Sequence, residues 1–194
     1  MKLARINVLV LLLFSVFAAA QDKPKTEAPK EPPSVTTILD RSFSNLEREF
    51  VPAVEAMPDG RFTFAPTNGE FKGVRTFRDQ AMHVAATNYL VSAAILGEKP
   101  PVDLGKGENG PDNITSKPDV VKFVKESCAY THKALATVND KNINGWIKNP
   151  FGDGQATRLG MAMVVTWHSF DHYGQMVEYL RMNGIIPPAS RPQK

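Results

Sequence analysis

Residues 155–188 read QATRLGMAMVVTWHSFDHYGQMVEYLRMNGIIPP, and the spacing inside this stretch decides what the rest of the chain must supply. No proline interrupts it before Pro187, and Gly184 offers the conformationally free residue on which helices commonly stop. The pattern predicts one long helix. His168 and His172 stand four residues apart, and a helical repeat of 3.6 residues lays such a pair over one another on a single face. A helical wheel puts Met161, Val164, Val165, Gln175 and Tyr179 on that same arc, with Asp171, Glu178 and Arg181 on the other side. Both imidazoles are therefore expected to point inward. A single inward histidine is usually satisfied by one hydrogen bond. Two uncharged imidazoles side by side need partners that a core seldom offers, and a shared cation suits both.

Working outward, three more helices are expected. Ser34 is placed to cap a first helix with apolar residues at Val35, Leu39, Phe43, Leu46, Phe50, Ala53 and Met57, kinked at Pro52 and stopped by Pro58. The connection PDGRFTFAPTNGEFKGVR (residues 58–75) reads as a loop with a short extended piece, pinned to the core by Phe62 and Phe64. Thr76 with Asp79 three residues on begins a second helix from Phe77 to about Leu96, ended by Gly97. His83 lies on its face with Thr87, Leu90 and Ala94. Residues 97–117 are a long loop rich in glycine and proline. Ser116 and Asp119 then open a third helix with Val121, Val124, Cys128, Thr131, Leu135 and Val138 on its stripe. Asp140–Gly154 is turn-rich, and no strand of useful length stands out. Four helices with one apolar stripe each predict an all-α four-helix bundle over residues 34–188, followed by a tail at 189–194. The alternative is a helical domain with a small hairpin near Phe62.

The start of the chain is of another kind. Met1–Ala20 has basic residues at Lys2 and Arg5, an apolar run from Ile6 to Phe17 and the triplet Ala18-Ala19-Ala20, which predicts a secretory signal peptide cleaved after Ala20. The run is shorter than the roughly 20 apolar residues of a membrane span, so no stable membrane insertion is expected after cleavage. Residues 21–33, QDKPKTEAPKEPP, carry nothing to bury and are expected to form a disordered linker. The protein is thus expected to be exported, periplasmic or extracellular. The whole chain has a formal charge of +3, and removing Lys2 and Arg5 leaves 3 − 2 = +1. Near-neutrality argues against a nucleic-acid partner, although the sequence pI is near 9.0. Cys128 is the only cysteine, so no internal disulfide supports the fold. The sequon at Asn113 matters only in a source that glycosylates its exports.

A metal site needs a third ligand beside His168 and His172, and His83 is the best placed of the remaining histidines. Three neutral imidazoles suit zinc or nickel, with iron or manganese also admitted, and leave positions open for water or substrate. Asp79 and Gln80 lie within a turn of His83, and Gln175 within a turn of His172. These three can orient the imidazoles or a bound water, with capping the simpler role for Asp79. His132 falls beside its helix's stripe and is read as a surface or boundary residue. Zinc proteases carry a glutamate directly after the first histidine of their pair; Ser169 holds that position here, which removes the protease reading.

With these residues assembled, the chain resembles the DinB superfamily. Three pieces carry the resemblance: Phe64-Ala65-Pro66; Gln80-Ala81-Met82-His83-Val84-Ala85; and His168-Ser-Phe-Asp-His172-Tyr-Gly174-Gln175 followed by Tyr179-Leu180-Arg181 and Gly184-Ile-Ile-Pro187-Pro188. The resemblance implies an up-down-down-up four-helix bundle binding a divalent metal through His83, His168 and His172. It also implies a small-molecule substrate or ligand, since characterised relatives include transferases and isomerases that use small thiols. Export and the long loop at 97–117 are departures from that pattern. Three functions compete: a metal-dependent hydrolase or group transferase, a non-catalytic exported module that binds metal or ligand, and a helical scaffold without metal. A homodimer formed through an exposed helix face is compatible with all three.

Overall fold

A computed structural model describes residues 31–192. The folded unit begins at Pro33, so the expected signal peptide and nearly all of the expected linker lie outside the described residues.

Helix α1 spans Val35–Ala56 and starts where Ser34 accepts a hydrogen bond from the Thr37 amide. Leu39, Phe43, Leu46, Phe50, Ala53 and Met57 are buried, so the stripe read from the sequence faces the core. The helix continues through Pro52 to Ala56. Proline has no N–H to offer the carbonyl of Arg48, and Arg48 is an exposed residue, where water can replace the missing donor. After Pro58 the chain makes a 3-10 turn, Asp59–Arg61, in place of the expected extended piece. Phe62 and Phe64 do pin it: Phe62 is buried, and the carbonyls of Phe64 and Phe62 accept from the amides of Phe77 and Arg78. Those are two of the orphan donors at the start of the next helix.

Helix α2, Phe77–Leu96, is capped by Thr76 and ends on Gly97 in the left-handed conformation, φ +74°. Helix α3, Lys117–Leu135, is capped by Ser116. Its buried row includes Val120, Phe123, Val124, Ser127, Cys128, Thr131 and Leu135, while Val121 is only half-buried. A helix wedged between two neighbours buries a broader arc than a single stripe suggests.

The turn-rich segment contains a hairpin that the sequence reading does not anticipate. Strand β1, Trp146–Lys148, pairs antiparallel with β2, Gln155–Thr157, with Ile147 opposite Ala156. The fourth helix is accordingly shorter than expected at its start. Helix α4 spans Arg158–Met182, capped by Thr157, whose hydroxyl accepts from the Gly160 amide. The reason is local: a residue with capping and strand propensity precedes the first helical turn, and its backbone is used by the hairpin. Past the C-terminus of α4, Pro188–Ser190 form a 3-10 turn against α1.

Hydrogen bonds between the ends fix the directions. The Arg61 guanidinium, just past α1, reaches Asn183 at the end of α4, so these helices run parallel. Tyr130 near the end of α3 donates to Glu98 just past α2, so these two are parallel as well. Arg158 at the start of α4 donates to the Ile95 carbonyl at the end of α2, and Thr36 at the start of α1 donates to the Val138 carbonyl beyond α3. The order is up-down-down-up, with α1 and α2 each packed on α3 and α4. Between parallel neighbours the chain must travel the length of the bundle, about 30 Å for a 20-residue helix. Residues 97–116, joining α2 to α3, make that return, which is why the loop is long.

Candidate metal centre

Inside this frame α2 presents Gln80 and His83, and α4 presents His168, His172 and Gln175. The antiparallel packing of α2 on α4 sets the early turns of one against the later turns of the other. His83, His168 and His172 each bring a ring nitrogen into one cluster. Nε2 of His168 lies 3.2 Å from Nε2 of His83 and 3.1 Å from Nε2 of His172. Three nitrogens bound to one ion at about 2.0–2.1 Å in near-tetrahedral directions stand about 3.1–3.4 Å apart. The cluster therefore has the dimensions of a three-nitrogen ligand set.

The outer ring nitrogens show which way the lone pairs point. Nδ1 of His83 is 2.8 Å from the carbonyl of Glu108, and a carbonyl only accepts, so His83 carries its proton there and turns a bare Nε2 inward. His172 is fixed by a longer chain. The Asp171 carboxylate only accepts, so it takes the amide N–H of Gln175 at 3.0 Å. This turns the Gln175 oxygen to the amide N–H of Gln80 at 2.9 Å, and the Gln80 oxygen to Nδ1 of His172. His172 must donate from Nδ1, and its Nε2 is bare as well. Two lone pairs thus face His168, whose own Nδ1 is buried without a partner among the described residues. A neutral His168 can donate one Nε2 proton to one neighbour and cannot satisfy both. A cation satisfies all three, so the donor set fits a divalent metal.

The charge state agrees. Burial lowers the pKa of His83; burial and the neighbouring imidazoles hold His168 down at about 4 and His172 at about 3. All three are neutral near pH 7, the form that ligates. His172 is 8 % exposed, and His83 and His168 are half-buried, so the cluster keeps partial contact with solvent.

The other residues singled out from the sequence divide. Gln80 and Gln175 sit behind His172, and Gln80 serves the opposite helix rather than the His83 on its own. Asp79 is not at the centre: it accepts from the Thr76 hydroxyl at the helix start and pairs with Arg78 at 2.7 Å. His132 is also elsewhere, bridging α3 to α1 with Nδ1 2.6 Å from Asp40 and Nε2 3.0 Å from Glu47. Ser169 is buried and donates to the Val165 carbonyl.

Two contributors escaped the sequence reading. Asp171 is on the outer arc, yet it polarises the amide chain because Gln175 is four residues on. Glu108 acts through its carbonyl, which no side-chain pattern reveals. The signal available was the run GKGENG at 105–110, whose three glycines all have positive φ. Glu108, at φ +51°, is the only non-glycine residue with positive φ among the described residues. Such a backbone costs of order 1 kcal/mol and here aims the carbonyl at His83.

The family model of the DinB superfamily matches residues 42–176, which include all three histidines. Solved structures agree on the fold. A DinB-like protein from Bacillus cereus superposes with a TM-score of 0.59 at 16 % identity, covering 77 % of this chain and 93 % of the other. A conserved protein from Enterococcus faecalis gives 0.62 at 15 % identity, covering 78 % and 98 %. YfiT from Bacillus subtilis, described as a probable metal-dependent hydrolase with an unusual four-helix bundle topology, gives 0.55 at 18 % identity, covering 81 % and 94 %. A comparison with curated proteins returned no match. With the family model spanning most of the bundle, the chain belongs to the DinB superfamily.

Proposed function

We propose that the chain is an exported metal-dependent hydrolase or group transferase acting on a small molecule at a divalent ion held by His83, His168 and His172. The observation that carries the reading is the polarity of the site: Asp171, Gln175, Gln80 and the Glu108 carbonyl together force the lone pairs of His83 and His172 onto one point. A bound divalent ion in such a site supplies Lewis acidity and brings the pKa of a ligated water or thiol toward neutrality. Zinc or nickel suits the all-nitrogen set best. The chain's own residues keep the imidazoles neutral by burial and fix their orientation, and the solvent-exposed part of the cluster admits the substrate. The likeness to a protein described as a probable metal-dependent hydrolase supports this class of activity, and the composition of Met1–Ala20 supports export.

Elemental analysis of the untagged protein tests the centre. We expect close to one divalent ion per chain, with His168→Ala and His172→Ala both losing it; metal content unchanged in both variants would sink the reading. Screening small esters, amides and thiol adducts with the loaded protein then separates catalysis from a binding role. For export, intact mass of the protein recovered outside the cytoplasm is expected to show a chain beginning at Gln21.

A further inference from the structure

Next to the histidine cluster is a cavity of about 640 Å³ whose lining includes Arg75, Arg78, Asp79, Gln80, Asn109 and Gln175. Gln80 and Gln175 are the amides that orient His172, so the cavity and the centre share a wall. Its two arginines differ in what they are free to do. Arg78 is committed: Nη1 pairs with Asp79 and Nη2 donates to the Ile114 carbonyl. Arg75 is held without being neutralised. Its carbonyl accepts from the Tyr179 hydroxyl at 3.1 Å and its Nε donates to Asn109 Oδ1 at 3.0 Å. No ion pair among the described residues includes it. Both Nη ends are left for something else, in a half-buried side chain already immobilised at Nε.

We propose that this cavity binds a small carboxylate-bearing molecule, its carboxylate in the Nη fork of Arg75 and the rest of it extending past Gln80 and Gln175 toward the histidine cluster. A planar guanidinium with two parallel N–H bonds matches a carboxylate in shape and charge. Fixing the side chain beforehand lowers the entropy lost on binding. The other charges decide between oxyanions. Asp112 also lines the cavity, and Arg78 is already neutralised by Asp79. A phosphate dianion would bring a second negative charge with no second free cation to meet it, whereas a carboxylate monoanion is balanced by Arg75 alone. The position is suited to a substrate as well: Gln80 and Gln175, which line the cavity, are hydrogen-bonded to one another, and Gln80 also holds His172. The proposal deepens the metal-centre reading, on which it rests for what lies at the ligand's other end.

The test uses the metal-free protein, so that carboxylates cannot bind through the ion. Propionate, inorganic phosphate and uncharged propionamide are each titrated while the backbone amides of residues 73–80 and 108–110 are followed by NMR. Propionate is expected to shift these amides saturably and more tightly than phosphate, with propionamide silent. Arg75→Gln is expected to weaken propionate at least tenfold and Arg75→Lys to recover only part of it, while zinc content on reloading stays within about twofold of the parent. Equal propionate binding by Arg75→Gln, tighter binding of phosphate, an equal response to propionamide, or no shift in these segments each overturns the proposal. Failure of the parent protein to take up zinc on reloading while it binds propionate overturns the metal reading instead, so the two failures are told apart.

Discussion

At the scale of single residues, the centre depends on who holds each imidazole as much as on the imidazoles. Gln80 passes polarity from α4 back to His172, and a hydrophobic side chain there leaves the His172 Nδ1–H buried and unpaired. Outer-sphere partners of this kind are worth about 10–100-fold in metal affinity. Gln80→Leu is therefore expected to weaken zinc by that factor in a competition titration with a chromogenic chelator. Asp79→Asn, which disturbs the cap of α2 and the Arg78 pair but no bond to the imidazoles, should leave zinc affinity unchanged while lowering the melting temperature. Affinity lost in both variants alike would mean that Gln80 acts only on stability. His132 supplies a prediction far from the centre. With both ring nitrogens donating to carboxylates it is imidazolium, and although burial works to lower its pKa, the bonds to Asp40 and Glu47 prevail and raise it. A folded pKa above the unfolded value makes the contribution complete below the unfolded pKa and lost as pH climbs through the folded one. His132→Gln should thus cost roughly 0.5–1 kcal/mol below the unfolded pKa, near pH 6, and progressively less as pH climbs through the folded one, by urea denaturation. What was legible at this scale was the three histidines, because their spacing and faces are written in the helical period. Glu108 was not legible, since its role lies in a carbonyl direction that only the folded loop sets.

At the scale of elements, the starts of α1, α2 and α3 were legible, and the start of α4 with the link before it was not. Ser34, Thr76 and Ser116 each cap where a small hydroxyl residue precedes an apolar run, and the left-handed Gly97 ends α2. The hairpin at 146–157 was not legible, because two strands of three residues carry too short an alternation to rise above a turn-rich background. The crossover at 97–116 reads as a loop in the sequence, yet in the fold it is the strap that brings Glu108 to His83. Gly110 shows how closely it is seated: at φ +75°, an added Cβ would stand 2.4 Å from Met82 Cε, one residue from His83. Gly107 has a similar backbone, φ +61°, but an added Cβ meets only the Asn109 side chain at 3.6 Å. Gly107→Ala should cost only the left-handed penalty, of order 1 kcal/mol, with zinc affinity nearly intact. Gly105→Ala should cost about 1–3 kcal/mol more from overpacking and also weaken zinc, because at φ +68° its added Cβ would stand 1.8 Å from the Gly110 carbonyl oxygen, backbone that clears it only if the strap shifts. Chemical denaturation beside a zinc titration of both variants checks this, and equal zinc affinities would show that the strap does not hold His83.

At the scale of the molecule, the up-down-down-up order ties the site to overall stability. The ligands come from α2 and α4, antiparallel neighbours, while α1 and α3 complete the bundle on the far sides of that pair. An ion held between α2 and α4 cross-links two elements whose separation is part of unfolding, so it binds the native state and not the unfolded chain. Free ligand at about 100 times its dissociation constant then adds about 2.7 kcal/mol. For a domain of this size each kcal/mol raises the melting temperature by about 2–4 °C, so zinc saturation should raise it by roughly 5–10 °C over the chelator-stripped protein. His168→Ala should show no zinc-dependent shift, while its metal-free melting temperature should stay near that of the stripped parent. The second expectation follows from the site itself: in the metal-free state His168 keeps a buried Nδ1 without a partner, so its removal surrenders little. A His168→Ala variant that melts well below the stripped parent would mean that the cluster stabilises the bundle through imidazole packing rather than through the ion. Differential scanning calorimetry of the four samples, parent and variant each with and without zinc, separates these outcomes.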